Sequence, residues 1–295
     1  MQIDYGPAYG PQYSIDAPLS RHVMLHLHMF KNGGSTIETI LEREFRGRYA
    51  TVHGSQAISV LDGHDIAAFL GAHPNIAALS SHHVRYPLPS IRRTVLFDCC
   101  FLRHPLDRLQ SVYTFLRASG SESEDPILVL ARSAGPREFM IRLLEDFPHL
   151  VSNAQTLLLA AGGAFTRPMD ETDLAQAKET LRRMALPGLV GIFDESLVAA
   201  EHFLGPAFPE LRLHYVARNV TRPAHRNFEH RLEELRVIWG ADVYQELVRL
   251  NRLDLELCGY AENEILRRFS LVPNAGKRLT EFRTRCFGLR LQVAS

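Results

Sequence analysis

The hexapeptide Lys31-Asn32-Gly33-Gly34-Ser35-Thr36 has the make-up of an anion-holding turn. Paired glycines let backbone N–H groups converge on one anion, and a helix that starts there adds the positive end of its dipole. The Lys31 ammonium can reach across the same anion as a compact charge, and Ser35 and Thr36 offer hydroxyls in the first helical turn. The chain contains only three lysines, Lys31, Lys178 and Lys277, so a sequence that otherwise uses arginine places one of them here. A second candidate pair is Arg103 and Ser111. A guanidinium can fork two donors onto phosphate oxygens, and Ser111 lies about 200° around a helix from the apolar Leu109, off its core face. The third candidate is His82-His83 behind Ser80-Ser81. A histidine titrating near neutrality can take the proton of a reacting hydroxyl.

Each of these groups sits where two elements meet. Arg21 to Met29 alternates Val23, Leu25, Leu27 and Met29 with His22, Met24, His26 and His28, the period of a strand. After the glycine turn, Ile37, Ile40, Leu41 and Phe45 recur at helical spacing. DIAAFLGAH predicts a short helix, IAALSS a buried strand ending at His82-His83, and TVLFDCCFL a central strand. Pro105 suits the first turn of the next helix, whose stripe is Leu106, Leu109, Tyr113 and Leu116 and which Ser119-Gly120-Ser121 ends. Helical patterns follow at REFMIRLLEDF, NAQTLLLA and DLAQAKETLRRM. Then come strands at GLVGIF and LRLHYVA around a helix at ESLVAAEHFL, a polar link over 219–228, and helices through EELRVIW and the segment after it. Strands alternating with helices predict an α/β fold on a parallel sheet. The division expected is an N-terminal extension over 1–20, the α/β domain over 21–272 with added C-terminal helices, and a basic, solvated or docked tail over 273–295.

The chain has 295 residues, 33 Lys+Arg against 33 Asp+Glu, and 46% hydrophobic residues, which excludes disordered and collagen-like classes. Zero formal charge argues against a dedicated nucleic-acid binder, whose surface carries a basic excess, so any anion site must be local. Cys99, Cys100, Cys258 and Cys286 show no paired spacing, which reads as a reducing compartment, and the first two sit inside an apolar run as small buried hydrophobes. No basic stretch precedes an apolar core in the first twenty residues, and no window nears 18 consecutive apolar residues. The expectation is a cytoplasmic protein with no membrane span.

Three rival chemistries can be weighed on the residues. A nucleoside-triphosphate P-loop places its lysine after the glycines, whereas Lys31 precedes them. Asp98 could hold Mg²⁺ at an acid-ended strand as in an ATP-dependent kinase, but the apolar run continues through Leu102 and puts Asp98 mid-strand. His22, His26 and His28 share a strand face and an H-x-H pair can ligate zinc, although no carboxylate or cysteine partner is evident nearby. A Gly-x-Ser-x-Gly elbow is absent.

His28-Met29-Phe30-Lys31-Asn32-Gly33-Gly34-Ser35 resembles the 5′-phosphosulfate loop of sulfotransferases that use 3′-phosphoadenosine 5′-phosphosulfate (PAPS), in the branch reading close to His-Ile-Pro-Lys-Thr-Gly-Gly-Thr. Met29, Phe30 and Asn32 depart from that pattern. Phe101 to Tyr113 resembles the family's 3′-phosphate segment, with Arg103 and Ser111 at the matching positions. Ser80 to Pro87 resembles the segment of uronyl 2-O-type enzymes in which a histidine is the base; aligned from the serines the match is His82, and aligned from the tyrosine it is His83. Weaker echoes lie at Asn153 to Thr156, taken as acceptor-side, at Gly188 to Ser196, and at Arg218, taken as near the nucleotide. The resemblance covers about residues 22 to 260. It implies a P-loop-like sheet and an O-sulfotransferase taking a sulfuryl group from PAPS to a hydroxyl of a carbohydrate acceptor, without a metal. Lys31 would stabilise the leaving phosphate, Asn32 to Thr36 would hold the phosphosulfate, Arg103, Ser111 and Arg218 would hold the nucleotide, and His82 or His83 would be the base. A non-catalytic nucleotide- or glycan-binding protein is the alternative that keeps the loop without a base.

Overall fold

The computed structural model describes residues 21–56, 59–119, 124–160, 162, 167–217 and 228–294. The first part of the chain runs β1 (Arg21–Leu27), α1 (Gly34–Phe45), β2 (Tyr49–Thr51), α2 (Gly63–Ala72), β3 (Ala78–Ser81) and β4 (Thr94–Leu102). Helices α3 (Pro105–Ala118), α4 (Pro126–Ser133), α5 (Pro136–Asp146), α6 (Pro148–Val151), α7 (Ala154–Ala160) and α8 (Glu171–Arg183) follow. The rest is β5 (Leu186–Leu189), α9 (Phe193–Leu204), α10 (Phe228–Trp239), α11 (Ala241–Leu250), α12 (Arg252–Ser270) and α13 (Ala275–Ala294). The strands form a parallel sheet in the order β2-β3-β1-β4-β5, so the α/β expectation holds.

The alternation read in β1 divides the core. Val23, Leu25 and Leu27 pack on one side of the sheet with Leu79, Cys100, Leu102 and the apolar faces of α8 and α12. Met24 faces the other side with Ile37, Ile40 and Leu41 of α1, Leu197 and Val198 of α9 and Phe282 of α13. A third cluster around Tyr113, Phe139 and Trp239 joins α3, α5 and α10 beside the sheet. All four cysteines are buried free thiols. Among the described residues no helix is long and apolar enough to cross a membrane.

Two segments differ from the sequence reading, and the tail takes one of its two expected forms. Leu211 and Leu213 are buried as LRLHYVA alternation requires, yet 211–217 forms no strand. Its backbone groups are taken by side chains: Arg43 donates to the carbonyls of Arg212 and His214, Glu44 accepts from the Arg212 N–H and Glu201 from the Leu213 N–H. With those partners met, the segment has no need of a neighbouring strand. GLVGIF is mostly a turn, because β5 ends at Leu189 and a 3₁₀ turn over Val190–Ile192 leads into α9. The basic tail is the helix α13, docked through Phe282 and Cys286, with Arg283 bonded to Asp194 and Glu195 and Arg285 to Glu201 of α9.

Candidate functional site

The carboxyl ends of the adjacent strands β3, β1 and β4 bring the separate sequence segments together. Register sets Leu27 beside both Ser81 and Cys100, so His82, the Lys31 turn and Arg103 all emerge at one edge, where open α/β sheets hold ligands. Lys31, Gly33, Gly34, Ser35, Thr36, His82, Arg103 and Ser111 line a single cavity of about 180 Å³ together with His28, Phe30 and Phe115. No aspartate or glutamate is among its described lining residues.

The turn depends on its glycines. Gly33 caps α1 at φ 78°, a left-handed conformation that glycine adopts without strain. At Gly34 a Cβ would lie 1.9 Å from Cδ2 of His28, so the imidazole occupies the space a side chain would need. Val190 and Phe193 press on Gly33 from the side, which assigns the Gly188 to Ser196 segment the role of backing the turn. No side chain caps α1 and its first turn holds no acidic residue; the Thr36 and Ile37 amides bond to the Gly33 carbonyl, which leaves the Gly34 and Ser35 amides at the cavity with the positive end of the helix dipole.

Lys31 has φ 65° and sets its Nζ 4.1 Å from the centre of the Phe115 ring, a cation–π seat. Burial and the nearby Arg103 guanidinium lower its pKa. Arg103 donates from Nη1 to the Lys31 carbonyl at 3.0 Å and from Nε to Asp107 at 2.7 Å, so the ion pair with Asp107 holds the guanidinium at the cavity edge. Ser111 is 9% exposed and also lines the cavity.

Asn32 goes elsewhere. Its side chain, 1% exposed, donates to the Phe101 carbonyl and to Oε1 of Gln155. Gln155 in turn accepts the Arg103 N–H and donates to the Arg103 carbonyl. The Asn32 side chain therefore anchors the turn to β4 and α7, which corrects its assignment as a phosphosulfate contact. Asn153, Gln155 and Thr156 are also scaffold and not acceptor-side: Asn153 accepts from the Leu253 and Asp254 N–H groups, and Asp254 accepts from the N–H groups of Gln155 and Thr156 and from the Thr156 hydroxyl. Arg218 lies outside the described residues.

The two histidines separate clearly. Nδ1 of His82 is 2.8 Å from the His28 carbonyl oxygen, which can only accept, so Nδ1 carries the proton and Nε2 keeps its lone pair. Burial and the adjacent His28 push the His82 pKa down to about 4, leaving the ring neutral at neutral pH. Nδ1 of His83 instead accepts the Gly54 N–H at 2.9 Å. His82 lines both the loop cavity and a neighbouring cavity of about 470 Å³, which His83, His53, Arg85 and Arg108 also line.

Phe115, Arg85 and Arg108 escaped the sequence reading, although Phe115 stands one helical turn beyond Ser111 and shares its face. The rival sites resolve as follows. Asp98 lies opposite Leu25 within the sheet and accepts from the Tyr86 hydroxyl and the Ala185 N–H, which makes it a brace between strands. His22 leaves the other strand histidines to pack edge-on against Phe97 and Phe208.

No family model matches the chain. It is similar to an uncharacterized protein of Archaeoglobus fulgidus, with 27% identity over 249 residues covering 81% of this chain and 95% of that protein.

Proposed function

We propose that the protein is a PAPS-dependent O-sulfotransferase of the cytoplasm that acts on a carbohydrate hydroxyl. The observation that carries this reading is the position of His82, which lines both the cationic loop cavity and the larger cavity beside it and has Nε2 available as a base. A cavity with a lysine, an arginine and uncapped helix amides, and no carboxylate among its described lining residues, fits a phosphosulfate group. PAPS supplies an activated sulfuryl group joined to its 5′-phosphate. In this reading Lys31 leaves its Phe115 seat to neutralise the charge that develops on that phosphate, and the Gly34 and Ser35 amides hold the group in line. Arg103, oriented by Asp107, and Ser111 bind the 3′-phosphate. The acceptor hydroxyl oxygen bonds to sulfur as the bond from sulfur to the phosphate oxygen breaks, and the hydroxyl proton passes to Nε2 of His82. The products are a sulfate monoester and adenosine 3′,5′-bisphosphate.

The test is transfer of radiolabelled sulfate from PAPS to a panel of oligosaccharides by wild type and by His82→Asn. Transfer by wild type that falls at least about 100-fold in the variant, within the usual range for a general base, is the expected result. Binding of the nucleotide with no transfer to any acceptor would instead favour a nucleotide-binding protein without this activity.

A further inference from the structure

Behind the turn, on the α1 side of the sheet, lies a polar cluster that the sulfuryl reading does not use. His26 lies on β1, His28 follows just beyond the strand's end, and both are buried. Nδ1 of His26 is 2.9 Å from the Ser80 hydroxyl, Nδ1 of His28 is 2.9 Å from Oε1 of Glu38, and the Ser80 hydroxyl donates to that same oxygen at 2.9 Å. One ligand atom each from His26, His28 and Glu38 lies within 4.8 Å of the others. We infer that His26, His28 and Glu38 bind a divalent transition-metal ion of the zinc class, with the Ser80 hydroxyl as a neighbouring oxygen donor.

The geometry supports an ion at this node. Donors held about 2.0–2.1 Å from zinc sit about 2.9 Å apart at right angles and about 3.3 Å apart at the tetrahedral angle, so small side-chain rotations would place these donors around one centre. Two imidazoles and a carboxylate form a borderline-soft set that suits zinc and its first-row neighbours better than calcium or magnesium. The charge states of two donors also fit: burial holds His26 neutral, and hydrogen bonds from His28 and Ser80 hold the Glu38 carboxyl down at about 2, so neither needs to lose a net proton to bind a metal. On binding, each Nδ1 gives its lone pair to the ion and the ring proton moves to Nε2. The Glu38 side chain is 26% exposed, which provides an entry path. The site joins β1, β3 and α1, and its His28 ring rests on Gly34, so occupancy would stiffen the back of the turn. Nothing in this inference depends on the reaction proposed above.

The test is titration of chelator-stripped full-length protein with Zn²⁺ by calorimetry, and with Co²⁺ by visible absorption. One ion per chain is expected, with affinity reduced more than the roughly 10–100-fold typical of losing an outer partner in both Glu38→Gln and His28→Gln, and unchanged in His22→Asn. In wild type the imidazole ¹⁵N resonances of His26 and His28 should shift on Zn²⁺ addition, a readout that needs no variant to fold. Absence of stoichiometric binding, unmoved His26 and His28 signals, or loss of binding in His82→Asn with retention in Glu38→Gln would overturn the assignment.

Discussion

Two polar clusters meet at the Lys31 turn, and they differ in whether their hydrogen-bonding capacity is already used. The Asn32, Gln155, Thr156 and Asp254 cluster is closed but for one atom: all four residues are buried and, apart from Oδ1 of Asn32, their side-chain polar groups bond to one another or to backbone. The cluster of Lys31, Arg103, Ser111 and the first-turn amides of α1 is open: its groups line a cavity, and the Lys31 ammonium rests on an aromatic ring instead of a carboxylate. Neighbours in sequence thus serve opposite ends. Lys31 faces the ligand space and Asn32, one residue on, holds the turn to the protein. A closed cluster fixes a backbone, whereas an open one retains donors for a guest.

That contrast predicts separable consequences. The largest effect is expected for Asp254→Ala, which strands two buried N–H groups and the Thr156 hydroxyl; at about 1–3 kcal/mol per unsatisfied group, urea unfolding should show a loss of about 4 kcal/mol or more. Lys31→Ala should act on the other side of the comparison. Turnover should fall about 100-fold or more, as when a transition-state donor is removed, while unfolding stability changes by less than about 0.5 kcal/mol. Asn32→Ala should invert that pattern, lowering stability by about 1–3 kcal/mol and changing turnover less than Lys31→Ala does in whatever fraction remains folded. If Asn32→Ala left stability untouched and removed nucleotide binding, Asn32 would belong to the open cluster.

The smallest expected effect comes from a group in neither cluster. His104 is half-buried, its Nδ1 has no hydrogen-bond partner among the described residues, and burial pushes its pKa down to about 4. The unfolded chain titrates near the ordinary value of about 6.5, so between those two values it binds the proton that the folded state refuses. The stability contribution is therefore complete above about 6.5 and is lost as the pH falls toward 4. His202 and His214 are shifted in the same direction. Thermal midpoints measured across this window should decline, and the decline should be shallower in His104→Asn.

Local signals made much of this readable. Alternation in β1, the glycine pair and the stripe of α1 are contiguous, and together they specified the strand, turn and helix that the structure contains. Arg103 and His82 stand out through the resemblance of their segments to a known family, and their positions at strand ends of a parallel sheet bring them to one edge. The fate of Asn32 was not legible, since its side chain turns toward Gln155, 123 residues away, a partner that motif position does not reveal. Glu38 was invisible as the partner of His28 for a similar reason: it reads as an ordinary polar residue off the apolar stripe of α1. The alternation at 211–217 misled because it reports burial, while strand formation also needs backbone donors and acceptors that are not already taken by Arg43, Glu44 and Glu201.

The central claim is that the open cluster is a site for a nucleotide carrying both a 5′-phosphosulfate and a 3′-phosphate. Its most direct test is calorimetric binding of adenosine 3′,5′-bisphosphate beside AMP and ATP, with and without Mg²⁺, to wild type and Arg103→Ala. The account predicts a preference for the bisphosphate that is independent of Mg²⁺ and falls at least about tenfold in the variant, the loss of one charge-assisted contact. Equal binding of the three nucleotides, or ATP binding that requires Mg²⁺, would contradict it.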